Sequence, residues 1–232
     1  MSLYESLPYS LCEAGPNTNI DGVGNYYVEV QAHSSKHSAL TMYFLDTHSY
    51  SPDETHYRGY DWLKPNQINW FKASADGLKD AHSHYTHKHL NMAFIHIPLP
   101  EYANADNERV GNFSEGSTAP AFNSHFKDAL VEYDVKFVSA GHDHVNDFCA
   151  LAKDATTGDP ELWMCHAGGS GFGGYGGYNG YHRRLRVFEV DTNQARISTW
   201  KRLEYGDVGM RLDEQILVDS GRVIPLQSSN EG

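Results

Sequence analysis

The chain has no basic block, three cysteines, and no apolar run near the roughly 20 residues of a membrane span. Its 18 lysines and arginines face 30 acidic residues, for a net charge of −12 over 232 residues. That balance argues against nucleic acid or an anionic membrane as a partner held by general electrostatics. A phosphate-bearing substrate stays open if bound metal supplies local positive charge. Cys12, Cys149 and Cys165 form no CxxC and no zinc-ribbon spacing. Their odd number argues against a full disulfide framework and leaves one bridge open. The first ten residues, MSLYESLPYS, do not run from charge to apolar sequence, so they read as no signal peptide. The compartment stays undetermined.

Apolar residues make up 40% of the chain and aromatics 12%, which predicts a folded core rather than a disordered polymer. Residues 25–32 (NYYVEVQA) and 40–46 (LTMYFLD) are rich in β-branched and aromatic side chains and read as a hairpin. Pro65 suits the first turn of a helix whose apolar face is Ile68, Phe71, Ala75 and Leu78, with Gly77 weakening its end. A strand over 91–97 stops at Pro98 and Pro100. Residues 101–119 are polar and without period, which predicts a functional or disordered loop. Pro120 opens a second helix carrying Phe122, Phe126, Ala129, Leu130 and Tyr133, followed by a strand over 135–140. Further strands are read at 161–167, 183–191 and 195–203, the last two turning at Thr192 and Asn193. The order predicts an α/β protein of stacked sheet and helix layers, with a flexible tail over 220–232.

The chemistry concentrates at strand ends. In residues 138–149 (VSAGHDHVNDFC), Gly141 ends an apolar strand and is followed by His142 and His144. His-x-His on an extended backbone places both rings on one side, and neutral imidazole is a common ligand for zinc, iron and manganese. His96 ends the apolar run of FIHIPLPEY in the same way. Two ordinary loop histidines are the plain alternative.

FIHIPLPEY, followed some 45 residues later by GHDHVNDFC, resembles the last two metal motifs of the calcineurin-like metallophosphoesterases. The branch it most resembles holds the fungal dosage-dependent cell-cycle-regulator phosphatases and the purple-acid-phosphatase-like proteins of plants. IDGVGNYYVEV, MYFLDTHSY, YRGYDWLKPNQINWF, GGSGFGGYGGY and HRRLRVFEVDTNQARISTWKR are similar to the same branch, so the resemblance covers residues 7–219. It implies a mixed β-sheet sandwich flanked by helices, a four-layer metallophosphatase-like fold. It also implies a phosphatase acting on phosphate monoesters, phosphoproteins among them, through a hydroxide held between two ions of iron, zinc or manganese. Under it, His96 and His142 would ligate one metal and His144 the other. Asp143, Asn146 and Asp147 would orient the ligands from behind. His182, Arg183 and Arg184 are candidates for contact with substrate anions, against the plainer reading of a solvated strand edge.

The chain departs from the family at its start. The family's D-x-H, GDxxD and GNH[DE] motifs do not occur in register. Asp46-Thr47-His48 fits D-x-H in form but lies in a later strand of the branch. The chain therefore reads as the carboxyl-terminal portion of such a domain over 1–219, its N-terminal part missing, as in a fragment or truncated gene product. No residue in it is assigned as catalytic, and three histidines alone hold at most one ion. It is expected to be impaired alone; a non-catalytic remnant binding metal or a partner is the rival reading. Open sheet edges predict self-association. Two further features are ambiguous. His82, His84, His87 and His89 read as a solvated loop or a metal-binding tract. The eight glycines from Gly168 to Gly180 read as low complexity or as a tight loop near the metals.

Overall fold

A computed structural model describes residues 1–16, 19–33, 37–84, 88–172 and 180–226. After a short helix α1 (Ser2–Glu5), β1 (Tyr26–Gln31) and β2 (Ser38–Phe44) form the expected antiparallel hairpin. Helix α2 (Pro65–His82) starts at the expected proline and continues past Gly77. Gln67 explains the firm start. Its Oε1 accepts the Lys64 N–H at 2.8 Å, and its Nε2 donates to Asn25 Oδ1 and the Asp46 carbonyl. The helix buries Phe71 and Ala75 against the sheet. One fully buried phenylalanine is worth about 1.5–3 kcal/mol of apolar transfer.

Strand β3 (Leu90–Phe94) is followed by a 3-10 turn (Pro100–Ala103) and β4 (Glu108–Val110). The segment 101–119 is thus not structureless, contrary to the aperiodic reading. Its β4 pairs with β6 (Cys149–Lys153) at the sheet edge, a strand too short to show a period. Helix α3 spans only Phe126–Glu132. Pro120 and Phe122 lie outside it, because Asn123 Oδ1 caps the His125 N–H and His125 takes a left-handed conformation at φ 58°. Phe122 packs instead on Trp62 and Tyr57.

Strands β5 (Val135–Ala140) and β7 (Pro160–His166) complete a seven-stranded sheet of order β1-β2-β3-β5-β7-β6-β4. Within it β2, β3, β5 and β7 run parallel. A second sheet holds β8 (Arg184–Asp191), β9 (Arg196–Leu203), β10 (Leu212–Asp219) and β11 (Arg222–Val223). The sequence reading begins a flexible tail at Ser220. In the structure β11 pairs with β10, and Trp163 Nε1 donates to the Ile224 carbonyl at 3.1 Å, which fastens the chain here; residues 227–232 lie outside the described residues.

Two cores follow from the two faces of the large sheet. Phe71, Phe126, Ala129 and Leu130 of the helices pack with Tyr43, Ala93, Val138 and Met164. On the other face Met92, Phe137, Leu151 and Trp163 meet Ile197 and Leu217 of the second sheet. Helices, sheet and sheet are stacked in that order, three of the four layers expected. Cys149 and Cys165, cross-strand partners in β6 and β7, form a disulfide, and Cys12 is free.

Candidate metal centre at the strand ends

Parallel strands deliver their carboxyl ends to one edge, where ligands of open α/β sheets are bound. Here β3 leads to His96, β5 to His142 and His144, and β7 ends at His166. The sheet register therefore sets the imidazoles side by side, and main-chain bonds lock it. Ile95 donates its N–H to Ser139 and Gly141 to His96, each at 3.0 Å. A Cβ on Gly141 would stand 3.1 Å from His96 Nδ1, so any larger residue there would press on that ring.

His96 Nε2 and His142 Nδ1 lie 3.4 Å apart, with ring planes at 83°. Tyr60 packs edge-to-face on His142 with centroids 4.3 Å apart. Desolvation lowers the pKa of His96, with His144 adding to it, and lowers that of His142, with His96 adding to it. Both rings are held neutral at pH 7, the form that offers a lone pair. His144 is exposed at the mouth. Gly169, at the start of the glycine-rich run, passes so close that a Cβ there would meet the His144 carbonyl oxygen at 2.7 Å. Residues 173–179 of that run lie outside the described residues. Among the described residues no group of three His, Cys, Asp or Glu side chains is placed to hold a metal ion.

The residues expected behind the ligands hold the walls of the site. Asp143 is buried and accepts from the Thr118 N–H and hydroxyl and, at 3.3 Å, from Asn146 Nδ2. Asn146 Oδ1 accepts the Ser114 and Glu115 N–H groups. Both therefore pin residues 114–118 against the His142–His144 turn. Asp147 is a buried hub. It accepts from Lys201 Nζ at 2.6 Å, Arg184 Nη1 at 2.7 Å, the Tyr181 hydroxyl at 3.1 Å and the Asn112 N–H at 2.6 Å. Burial pushes its carboxyl up, but Lys201 and the other donors outweigh this and leave it below its ordinary value.

Phosphatase DCR2 of Saccharomyces cerevisiae is 41% identical over 210 residues, covering 85% of this chain and 35% of that protein. Probable inactive purple acid phosphatase 29 of Arabidopsis thaliana is 37% identical over 234 residues, covering 91% of this chain and 58% of its own length. The chain belongs with the DCR2 and purple-acid-phosphatase-like proteins of the calcineurin-like superfamily. It spans between 35% and 58% of the length of these relatives. No family model matches it.

Within this phosphatase-like frame the remaining candidates separate. Asp46-Thr47-His48 is spent on structure. Asp46 accepts the Val23 and His48 N–H groups, Thr47 Oγ1 accepts from Ile97, and His48 Nε2 meets Gln67 Oε1 at 2.7 Å. Arg183 pairs with Glu204 at 2.7 Å, and the His182 ring packs near Tyr205. His82 bonds to Glu29 and His89 to Thr41 and Ser38, away from the strand ends, while His87 lies outside the described residues. His166 was missed by the sequence reading. The signal was present: WMCH ends a buried strand in a histidine just as FIH does.

Proposed function

We propose that the chain supplies the histidine side of a metal-dependent phosphoesterase site, its substrates phosphate monoesters, phosphoproteins among them. The approach of His96 Nε2 to His142 Nδ1 at 3.4 Å carries this reading. Two nitrogens each bonded to one tetrahedral zinc ion at about 2.1 Å stand ~3.4 Å apart. The pair thus fits one edge of a coordination sphere, and His144 is the third candidate ligand. Bound ions would neutralise phosphoryl oxygens and make water nucleophilic at neutral pH. This chain's own part is to hold the neutral imidazoles of His96 and His142 at fixed separation, with Gly141 and Gly169 giving the backbone close approach. Iron, zinc and manganese all suit such nitrogen donors.

The D-x-H, GDxxD and GNH[DE] motifs do not occur in register in these 232 residues. The chain by itself is therefore expected to bind at most one ion and to turn over poorly. A second reading, a non-catalytic metal- or partner-binding module, draws on the words "probable inactive" in the names of the Arabidopsis relatives.

The test adds zinc, manganese or iron to the purified chain, counts bound ions, and assays a chromogenic phosphate ester. One ion or fewer is expected, lost in His142→Ala and His144→Ala. Metal binding indifferent to both substitutions would overturn the ligand assignment, and two ions per chain would overturn the expected deficit. Turnover abolished by the same substitutions favours the enzyme. Metal bound without turnover favours the second reading.

A further inference from the structure

The parallel strands β3, β5 and β7 each end in histidine chemistry, but only the first two belong to the ligand set above. His166, at the end of β7, is fully buried. Its ring lies between Tyr102 and Phe148, with centroids 4.8 Å away on each side. Its backbone is fixed too: the N–H donates to the Phe148 carbonyl, and its own carbonyl accepts Arg186 Nε, both at 2.8 Å. A ring held this firmly reaches two atoms. Nδ1 lies 3.3 Å from the Gly141 carbonyl oxygen, and Nε2 lies 3.5 Å from Asp143 Oδ2. Gly141 and Asp143 are the two neighbours of His142, which itself adopts a left-handed conformation at φ 68°.

We propose that His166 is a positioning residue of this site: its imidazole braces the turn through the Gly141 carbonyl, beside His142, and so sets the His142 ring against His96. A carbonyl oxygen only accepts, so the bond to Gly141 requires the Nδ1–H tautomer. The Nε2 lone pair then faces the Asp143 carboxylate without a bond to it, and Nε2 has no hydrogen-bond partner among the described residues. The brace reaches further through Gly141, whose N–H donates to the His96 carbonyl. One residue, Gly141, thus joins the His166 ring through its carbonyl and the His96 backbone through its N–H. A left-handed conformation in a non-glycine residue persists only where its surroundings over-determine it, and His166 with Asp143 supplies that surrounding. A core histidine with no role in the site would need only its packing against Tyr102 and Phe148.

The metal consequence rests on the ligand reading above, but the brace does not, and the test keeps them apart. Long-range proton–nitrogen NMR on the metal-free chain reports ring tautomers and ring nitrogen shifts. The Nδ1–H tautomer is expected at His166, and the Nε2–H tautomer there would overturn the brace without any variant. His166→Asn keeps a donor near the Nδ1 position, whereas His166→Gln moves the donor toward Nε2. The His96 and His142 ring shifts should follow the parent in the asparagine variant and depart in the glutamine variant. Shifts that stay at the parent's values in both variants, or move equally in both, would overturn the proposal. Zinc titration gives the second reading: affinity should fall about 10–100-fold in His166→Gln and recover in His166→Asn. If the parent binds no zinc, the ligand reading fails, and the tautomer and ring shifts still decide the brace.

Discussion

At the scale of the residue, His166 also records pH. Burial pushes its imidazole down to about 4 from an ordinary 6.5, against the pull of Asp143. The unfolded chain takes up a proton near pH 6.5 and the folded chain does not, so stability is whole above that pH and falls as pH drops toward 4. Between pH 8 and pH 5 the loss is on the order of 2 kcal/mol. Urea denaturation at both values checks it, and His166→Asn, which does not titrate, should lose less over the same interval. An equal slope in both proteins would mean that other groups govern the acid limb. Residue identity was informative where a single side chain carried the signal. His96 and the GHDH pair could be singled out directly as candidates. His166 could have been, by the rule that singled out His96.

At the scale of the element, the buried charges around Asp147 join the two sheets. Lys201 comes from β9 and Arg184 from β8, while Asp147 lies in the loop between β5 and β6. Arg186 of β8 adds a bond to the Asp147 carbonyl, and burial holds its guanidinium down to about 10. Removing the carboxylate would strand Arg184 without its buried counter-charge and leave Lys201 only the partly exposed Asp213, and breaking a buried pair costs about 3–5 kcal/mol. Asp147→Asn should therefore lower the urea midpoint sharply. It should also loosen Asn112, whose N–H it holds, and raise amide exchange across 111–118. A midpoint unchanged from the parent would show that the cations find other partners. None of this was legible in the sequence. Lys201 reads as one more polar residue of a strand, and only the packing of the sheets reveals that its alternate face is interior. Strands β4 and β6 escaped for a related reason: their runs of three and five residues are too short for alternation to stand out, and pairing alone creates them.

At the scale of the molecule, the second sheet is narrower than the first, four strands against seven. Tyr26, Val28 and Val30 of β1 stand opposite Phe44, Met42 and Leu40 of β2 and share one face with them. The Tyr26, Phe44 and Phe94 rings stack along it at 4.7 and 5.2 Å, yet all three keep partial exposure. Beside this apolar ledge, β8 is the outer strand of its sheet and shows Leu185 at 59% exposure. A partly exposed apolar face next to a strand paired on one side only, among the described residues, favours association. Sedimentation velocity over a concentration series should show reversible larger species, reduced by Leu185→Lys and Val30→Lys. A single monomeric species at every concentration would count against it. The layered α/β architecture was readable because long runs such as 40–46 and 135–140 keep a clear apolar pattern. The unequal widths of the sheets were not, since they depend on which strands find partners.

The bond between Cys149 and Cys165 sets a condition on how the protein comes to be made. It closes the β6–β7 hairpin right beside the site, because Cys149 follows Phe148 and Cys165 precedes His166. Cross-linking across 16 residues constrains the unfolded chain by about 3 kcal/mol. Both sulfurs are wholly buried, so an oxidant must reach them before the hairpin packs. Chains grown in a thiol-reducing cytosol and chains matured along an oxidising export route would then be two different materials, one with its histidine turn tied down and one without.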